Sequence, residues 1–237
     1  MTSSTLRRGS RAPEAPFGPL STVRYTVNGV DFDMVRVPPG RFVDGEGPAK
    51  RELLVSRPFE LGVAPVTQAL WRAVMGSNPS KFQGDDQPVE QVSWDDVQQL
   101  VGTLARRRLP GFRLPTEAEW AWAARCGAPT LWAGAERPRA VAATVGVGRA
   151  VAVAGLSGSP VGAFDLLGNV WEWVADWYGQ VSPAGADAQG PASGSSRVYR
   201  GGCWRSDPKF VRVAVRYSVA PYRRDGSLGV RLLRTAP

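Results

Sequence analysis

An α+β fold of short elements and long loops is what this 237-residue sequence predicts, on three observations. Three stretches carry helical periodicity behind a capping residue, the segments around them alternate apolar and polar residues only briefly before Pro or Gly intervenes, and the region after Gly127 is rich in Gly, Ala and Val with many turn signals. The length allows one large domain or two small ones. A single domain over residues 23–237 is expected, behind a disordered leader at 1–22 whose charged patch is followed by Pro, Gly and Glu instead of an apolar run.

The elements follow in chain order. TVRYTVNGVDFDMVRVPPGRFVDG alternates and turns at Asn28-Gly29 and at Pro38-Pro39-Gly40, which predicts two short strands. LLVSRPFELGVAPV continues with apolar runs broken by Pro58 and Gly62. In VTQALWRAVMG, Leu70, Ala73 and Val74 fall at helical spacing between a Thr67 N-cap and a stop at Gly76. A second helix starts at Ser93 with Asp96 as a variant capping box, and Trp94, Val97, Leu100, Val101 and Leu104 form its apolar stripe. The third opens at Pro115-Thr116, sets Glu117 and Glu119 in the first turn where the helix dipole favours them, and is expected to end at Gly127. Strand-like RVYRGG, FVRVAVRY and LGVRLLR close the sequence.

Composition removes whole classes of chemistry. Histidine is absent, so no Ser-His-Asp or Cys-His site, no His-ligated zinc or haem and no two-His iron site can be built. The two cysteines are too few for an all-Cys zinc site or a disulfide framework, and a cytoplasmic location is expected. No segment has the roughly 20 apolar residues of a membrane helix. Between Arg197 and Arg234 ten basic residues face Asp207 and Asp225, and this segment carries the whole formal excess of +8. Such a face suits a small anionic ligand, an acidic protein partner or nucleic acid. No RNP, zinc-finger or helix-turn-helix pattern supports nucleic acid. Internal ion pairing of these arginines is the plainer alternative.

Several blocks are specific. RLPTEAEW (Arg113–Trp120), FDLLGNVWEWVADWY (Phe164–Tyr178), RVYRGGCW (Arg197–Trp204) and LGVRL (Leu228–Leu232) resemble, in order and spacing, the signature blocks of the formylglycine-generating enzyme family, also called sulfatase-modifying factors. VRVPPGRFVDG, PVTQALWRAVMGSNPSKF and QPVEQVSWDDVQQL agree, so the resemblance runs from about Val35 to Leu233. It implies a loop-rich variant of the C-type-lectin-like fold with the ligand site among the C-terminal blocks. It does not choose a function. The family contains copper oxidases that convert a sulfatase CxPxR cysteine to formylglycine, domains of iron-dependent sulfoxide synthases, siderophore-tailoring enzymes, receptor-like domains of bacterial signalling or conflict systems, and retroelement variable proteins.

In the oxidases, two thiolates suited to Cu(I) lie three and eight residues after the serine of the GGS block. Here Cys203 takes the serine position and the thiolate positions fall on Ser206 and Val211, so copper and the oxidase activity are expected to be absent. The sulfoxide synthases need histidines that this chain lacks, and RSDPKFVRVAVRYSVAPYRRDGS has no Asn of the kind a diversified stretch would carry. The resemblance implies a structural calcium on Asn169 and Glu172 with the carbonyls of Gly168 and Val170. The alternative is that Glu172 pairs with an arginine and Asn169 closes a turn. A second family calcium site is expected to be lost from VAATVGVGRAVAVAGLSGSPVG, which has no acid or amide. Trp171, Trp173 and Trp204 are assigned to the core; Tyr178, Tyr217, Tyr222, Arg205, Arg223 and Arg224 are expected to be exposed.

Two functional readings remain. One is a non-catalytic, receptor-like module that binds a protein or small anionic ligand through Trp204, Arg205, Arg212, Arg216, Tyr222, Arg223 and Arg224. The other is an enzyme that reuses the family pocket through Cys203, with Ser206 or Tyr217 nearby.

Overall fold

Asn28 and Gly29 turn the chain with left-handed φ of 49° and 80°, the conformation of a two-residue hairpin loop. They join β1 (Thr22–Val27) to β2 (Val30–Val37), paired antiparallel along their length. The computed structural model describes residues 20–126, 148–155 and 158–235. Within the leader expected at 1–22, Leu20 packs against the core and β1 already starts at Thr22; residues 1–19 lie outside the described part. The N-terminal segment also holds three strands, not two. The Pro38-Pro39 pair interrupts the chain only long enough for β3 (Gly40–Asp44) to begin and pair with β4 (Arg51–Val55).

Among the described residues the strands form three sheets. The first has the order β1-β2-β5-β12-β6, where β5 is Phe59–Gly62, β6 is Phe112–Arg113 and β12 is Leu233–Thr235. Its neighbours are all antiparallel, so β12 near the C-terminus lies between β5 and β6. The second has the order β10-β9-β7-β11, with β7 Trp171–Trp177, β9 Arg197–Arg200, β10 Arg216–Val219 and β11 Leu228–Val230. The third joins β3 and β4 to the two-residue β8 (Gly185–Ala186).

The helices obey their local signals. Helix α1 (Gln68–Met75) starts with the Thr67 hydroxyl accepting from the Leu70 N–H and ends at Gly76 with φ 81°. Helix α2 (Trp94–Arg106) has the full Ser93–Asp96 capping box and buries Val97, Leu100 and Leu104. Helix α3 (Glu117–Arg125) is capped by Thr116 and Glu119, but its C-cap is Cys126 in the left-handed region (φ 39°), one residue before the expected glycine. Gly127 is outside the described residues. Glu117 does not face water at the dipole's positive end; it is 1% exposed and bound to arginines. No described helix is long and apolar enough to cross a membrane.

Among the described residues two large apolar clusters hold the sheets together, beside a small third one of Leu53, Ala118 and Ala188. One joins the first sheet to α3, β7 and β9 around Trp120, Trp122, Phe59 and Leu61; the other joins α1 and α2 to Trp173, Leu228 and Val230. Trp173 is fully buried and donates its indole N–H to the Val92 carbonyl, which satisfies the one polar atom that burial would otherwise strand. Trp171 and Trp204, expected in the core, are only half-buried.

Candidate functional site around Cys203

The loop between β9 and β10 carries the residues singled out by the Cys203 block, and two glycines shape it. Gly201 and Gly202 have φ of 100° and 85°. A Cβ on Gly201 would stand 2.6 Å from the Leu166 carbonyl oxygen. Gly201→Ala is therefore expected to cost roughly 1–3 kcal/mol of stability, read as a lower urea midpoint at unchanged slope.

Cys203 follows, 1% exposed. The Cys203 N–H donates to Ser206 Oγ at 3.0 Å, and Cys203 Sγ lies 3.3 Å from the same oxygen. Val211 is fully buried in the first core. The three positions thus hold a buried thiol, a hydroxyl that closes the turn and an aliphatic core residue. They supply no pair of thiolates. Cys126 sits in the first core, where burial pushes its thiol up to about 12, and neither cysteine is in a disulfide.

Around the thiol the loops build a rim of rings and charges. Trp204 donates its indole N–H to the Gly226 carbonyl, meets Phe82 edge-on at 5.7 Å and lies under the Arg205 guanidinium. Arg205 is in turn bound to Asp225 at 2.6 Å. Tyr217 is 41% exposed and packs on Trp171 and Tyr199. Burial raises the Tyr199 phenol, with Tyr217, Asp225 and Cys203 adding to the shift, which puts Tyr199 among these groups. Tyr222 is 69% exposed, and Arg223 and Arg224 are exposed as expected.

The basic face itself is largely neutralised. Arg212 binds Glu46, Arg216 binds Glu117 at 2.9 Å, Arg224 binds Asp96 at 2.7 Å and Lys209 binds Asp207 at 3.0 Å. Arg197 is clamped between the rings of Trp94 and Trp177 at 3.8 and 3.5 Å. The ligand residues expected from the sequence therefore divide. Trp204, Arg205 and Ser206 gather around Cys203, Tyr217 joins them through Tyr199, Arg212 and Arg216 are committed to acids on other elements, and Arg224 is paired with Asp96 in the first turn of α2.

Residues from the earlier family blocks, to which sequence reasoning gave no site role, complete the rim: Lys81, Phe82 and Glu90. Glu90 is fully buried; its Oε1 accepts from the Phe82 N–H at 2.9 Å and its Oε2 has no hydrogen-bond partner. Burial raises its pKa, opposed in part by the backbone N–H groups of Phe82 and Lys81. A carboxylate raised in the folded state favours folding below its unfolded value and loses that contribution as pH climbs through the folded one. Glu90→Gln should therefore gain stability relative to wild type as pH rises from 4 toward 8, measured by urea unfolding at each pH.

The expected calcium ligands are bound to other partners. Asn169, at φ 58° before β7, accepts from the Val151 N–H and donates to the Val151 carbonyl and to Asp165. Glu172 receives Arg231 through Nε at 3.1 Å and Nη2 at 2.7 Å, and the Trp120 indole at 2.7 Å. A guanidinium lying on both carboxylate oxygens neutralises the charge that a cation would need, so Gly168, Asn169, Val170 and Glu172 as placed do not fit calcium. The stretch expected to have lost the second calcium site lies outside the described residues at 141–147 and 156–157.

The chain as a whole is similar to known proteins. The formylglycine-generating enzyme of Streptomyces coelicolor is 33% identical over 196 residues, which cover 72% of this chain and 60% of that enzyme. The inactive C-alpha-formylglycine-generating enzyme 2 of Mus musculus is 33% identical over 193 residues, 73% of this chain and 57% of that protein. The structure of Treponema denticola variable protein 1 superposes with a TM-score of 0.83 at 29% identity, covering 91% of this chain and 99% of that one. The chain thus spans about 60% of the length of these two curated relatives. With residues 26–236 matched to the sulfatase-modifying factor enzyme 1-like domain, the chain belongs to that family, on its α+β, C-type-lectin-like fold.

Proposed function

We propose that this domain is a non-catalytic recognition module of the family, a receptor-like unit of a bacterial signalling or conflict system that presents the 203–226 loops to a protein or a small anionic ligand. One observation carries the reading. Where the oxidases of the resemblance hold two copper thiolates, this chain holds the Ser206 hydroxyl, tied to the Cys203 N–H at 3.0 Å, and the fully buried side chain of Val211. The rim of Trp204, Phe82, Arg205 and Tyr217, with exposed Tyr222 and Arg223 beside it, supplies aromatic faces and donors of the kind that anchor partners. A family member whose name marks it inactive is in keeping with this use of the fold. Two unpaired cysteines suit a reducing compartment, and we place the module in the cytoplasm.

The competing enzyme reading draws on the 3.3 Å contact of Cys203 with Ser206. A thiol 1% exposed offers a substrate little approach. Incubation with a CxPxR peptide, copper and oxygen separates the two. No formylglycine above the protein-free blank is expected; aldehyde formation that disappears in Cys203→Ser would replace the recognition reading with the enzymatic one.

A further inference from the structure

Where β3, β4, α3, β9 and β10 meet, four arginines converge on two carboxylates. Asp44 and Glu117 are 0% and 1% exposed. Arg51 binds Asp44 at 2.8 Å and reaches Glu117 at 3.7 Å; Arg216 binds Glu117 at 2.9 Å; Arg200 binds Glu117 and lies 3.6 Å from Asp44; Arg125 lies 3.6 Å from Asp44. Their side chains are between 0% and 13% exposed, so the cluster encloses two positive charges more than its acids offset. The neighbouring Glu46 is bound to Arg212 and leaves the excess in place.

An excess of this kind has few remedies. A buried lysine or carboxyl group sheds its charge by changing protonation, but a guanidinium does not deprotonate in proteins. Burial lowers the pKa of both Arg51 and Arg125, the direction of a cation short of compensation. Donors are also left over: Arg51 Nε, Arg200 Nε, and both Nε and Nη2 of Arg125 have no hydrogen-bond partner. The 3.6 Å gap from Arg125 Nη2 to Asp44 Oδ1 is too long for one, and Asp44 Oδ1 is itself unpartnered. Buried donors and charges of this sort are satisfied in native proteins by an ion or a water.

We propose that this cluster is a binding site for a small inorganic anion, held by Arg51, Arg125 and Arg200, which balances the charge that Asp44 and Glu117 leave over. The site is separate from the Cys203 rim and does not rest on the recognition reading.

The test is a thermal-unfolding series at constant ionic strength, with gluconate exchanged for chloride in one arm and for phosphate in the other. An anion that binds only the folded state raises Tm with the logarithm of its concentration, by about 3–6 °C per tenfold step above its dissociation constant for a chain of this length. Arg125→Gln should abolish the slope, and Arg106→Gln, on the exposed last turn of α2, should keep it. A slope for chloride and phosphate alike assigns a general small-anion site, and a slope for one alone assigns that ion. A wild-type Tm indifferent to both anions overturns the proposal, as does a slope unchanged in Arg125→Gln. If that variant does not fold, a bromide-soaked wild-type crystal decides: an anomalous peak within hydrogen-bonding distance of Arg125 Nε supports the site, and its absence overturns it.

Discussion

Glu117→Gln is expected to unfold at a temperature lower by roughly 6–20 °C, although it changes no shape. The substitution keeps every atom's place and removes one charge from beneath Arg200 and Arg216, both bound to this carboxylate, and from beside Arg51 at 3.7 Å. Taking one partner from a buried ionic group costs about 3–5 kcal/mol because the remaining charge stays behind without compensation. At about 2–4 °C per kcal/mol for a chain of this size, the loss is visible in a single melt. Asp33→Asn, which breaks the Arg24 pair at 65% and 36% side-chain exposure, is the control and should barely shift the melt. A Glu117→Gln protein as stable as wild type would mean that Asp44 alone carries the cluster.

Arg231→Met should be comparably damaging, with a pH signature of its own. Arg231 and Glu172 are both fully buried, and the guanidinium also donates to the carbonyls of Gly62 at 2.7 Å and Phe164 at 2.6 Å. Its removal strands a carboxylate and two carbonyl oxygens, at about 3–5 kcal/mol for the broken pair alone. Burial pushes the Glu172 pKa up and Arg231 opposes that push, so the variant leaves burial less opposed. A carboxyl raised in the folded state stabilises below its unfolded value and loses that stability as pH rises through the folded one. The deficit of Arg231→Met should therefore widen between pH 5 and 8 in urea melts. The double variant Glu172→Gln/Arg231→Met should recover part of the loss, with a coupling energy of about 0.5–3 kcal/mol.

What the sequence made legible was local. Thr67, Ser93 and Thr116 announced their helices because a cap is a contact over three residues, and Asn28-Gly29 announced its hairpin because only certain residues take that turn. The two-residue strands β6 and β8 gave no pattern, since alternation needs more positions than they have, and the strand-like LGVRLLR gave no sign that it splits into β11 and β12 of different sheets. Their pairing is made by partners far away in sequence, as when Leu233 meets Leu61 and Arg113. For the same reason the sequence left its arginines undecided between an exposed basic face and internal ion pairs. In the structure Arg200 and Arg231 are wholly buried and most of the basic C-terminal segment is paired to acids on other elements. At the candidate site the block spacing located Cys203, Ser206 and Val211, but Phe82, Glu90 and Asp225 reach the rim through tertiary contacts that no spacing encodes.

The reading of the domain as a recognition module stands or falls on copper. Purified protein titrated with Cu(I) against a competing chelator is the direct measurement, because thiolate pairs and lone buried thiols differ greatly in their hold on this soft ion. The arrangement of Cys203, Ser206 and Val211 predicts no stoichiometric Cu(I) bound to wild type and no difference from Cys203→Ser. One equivalent bound by wild type and lost in Cys203→Ser would contradict it.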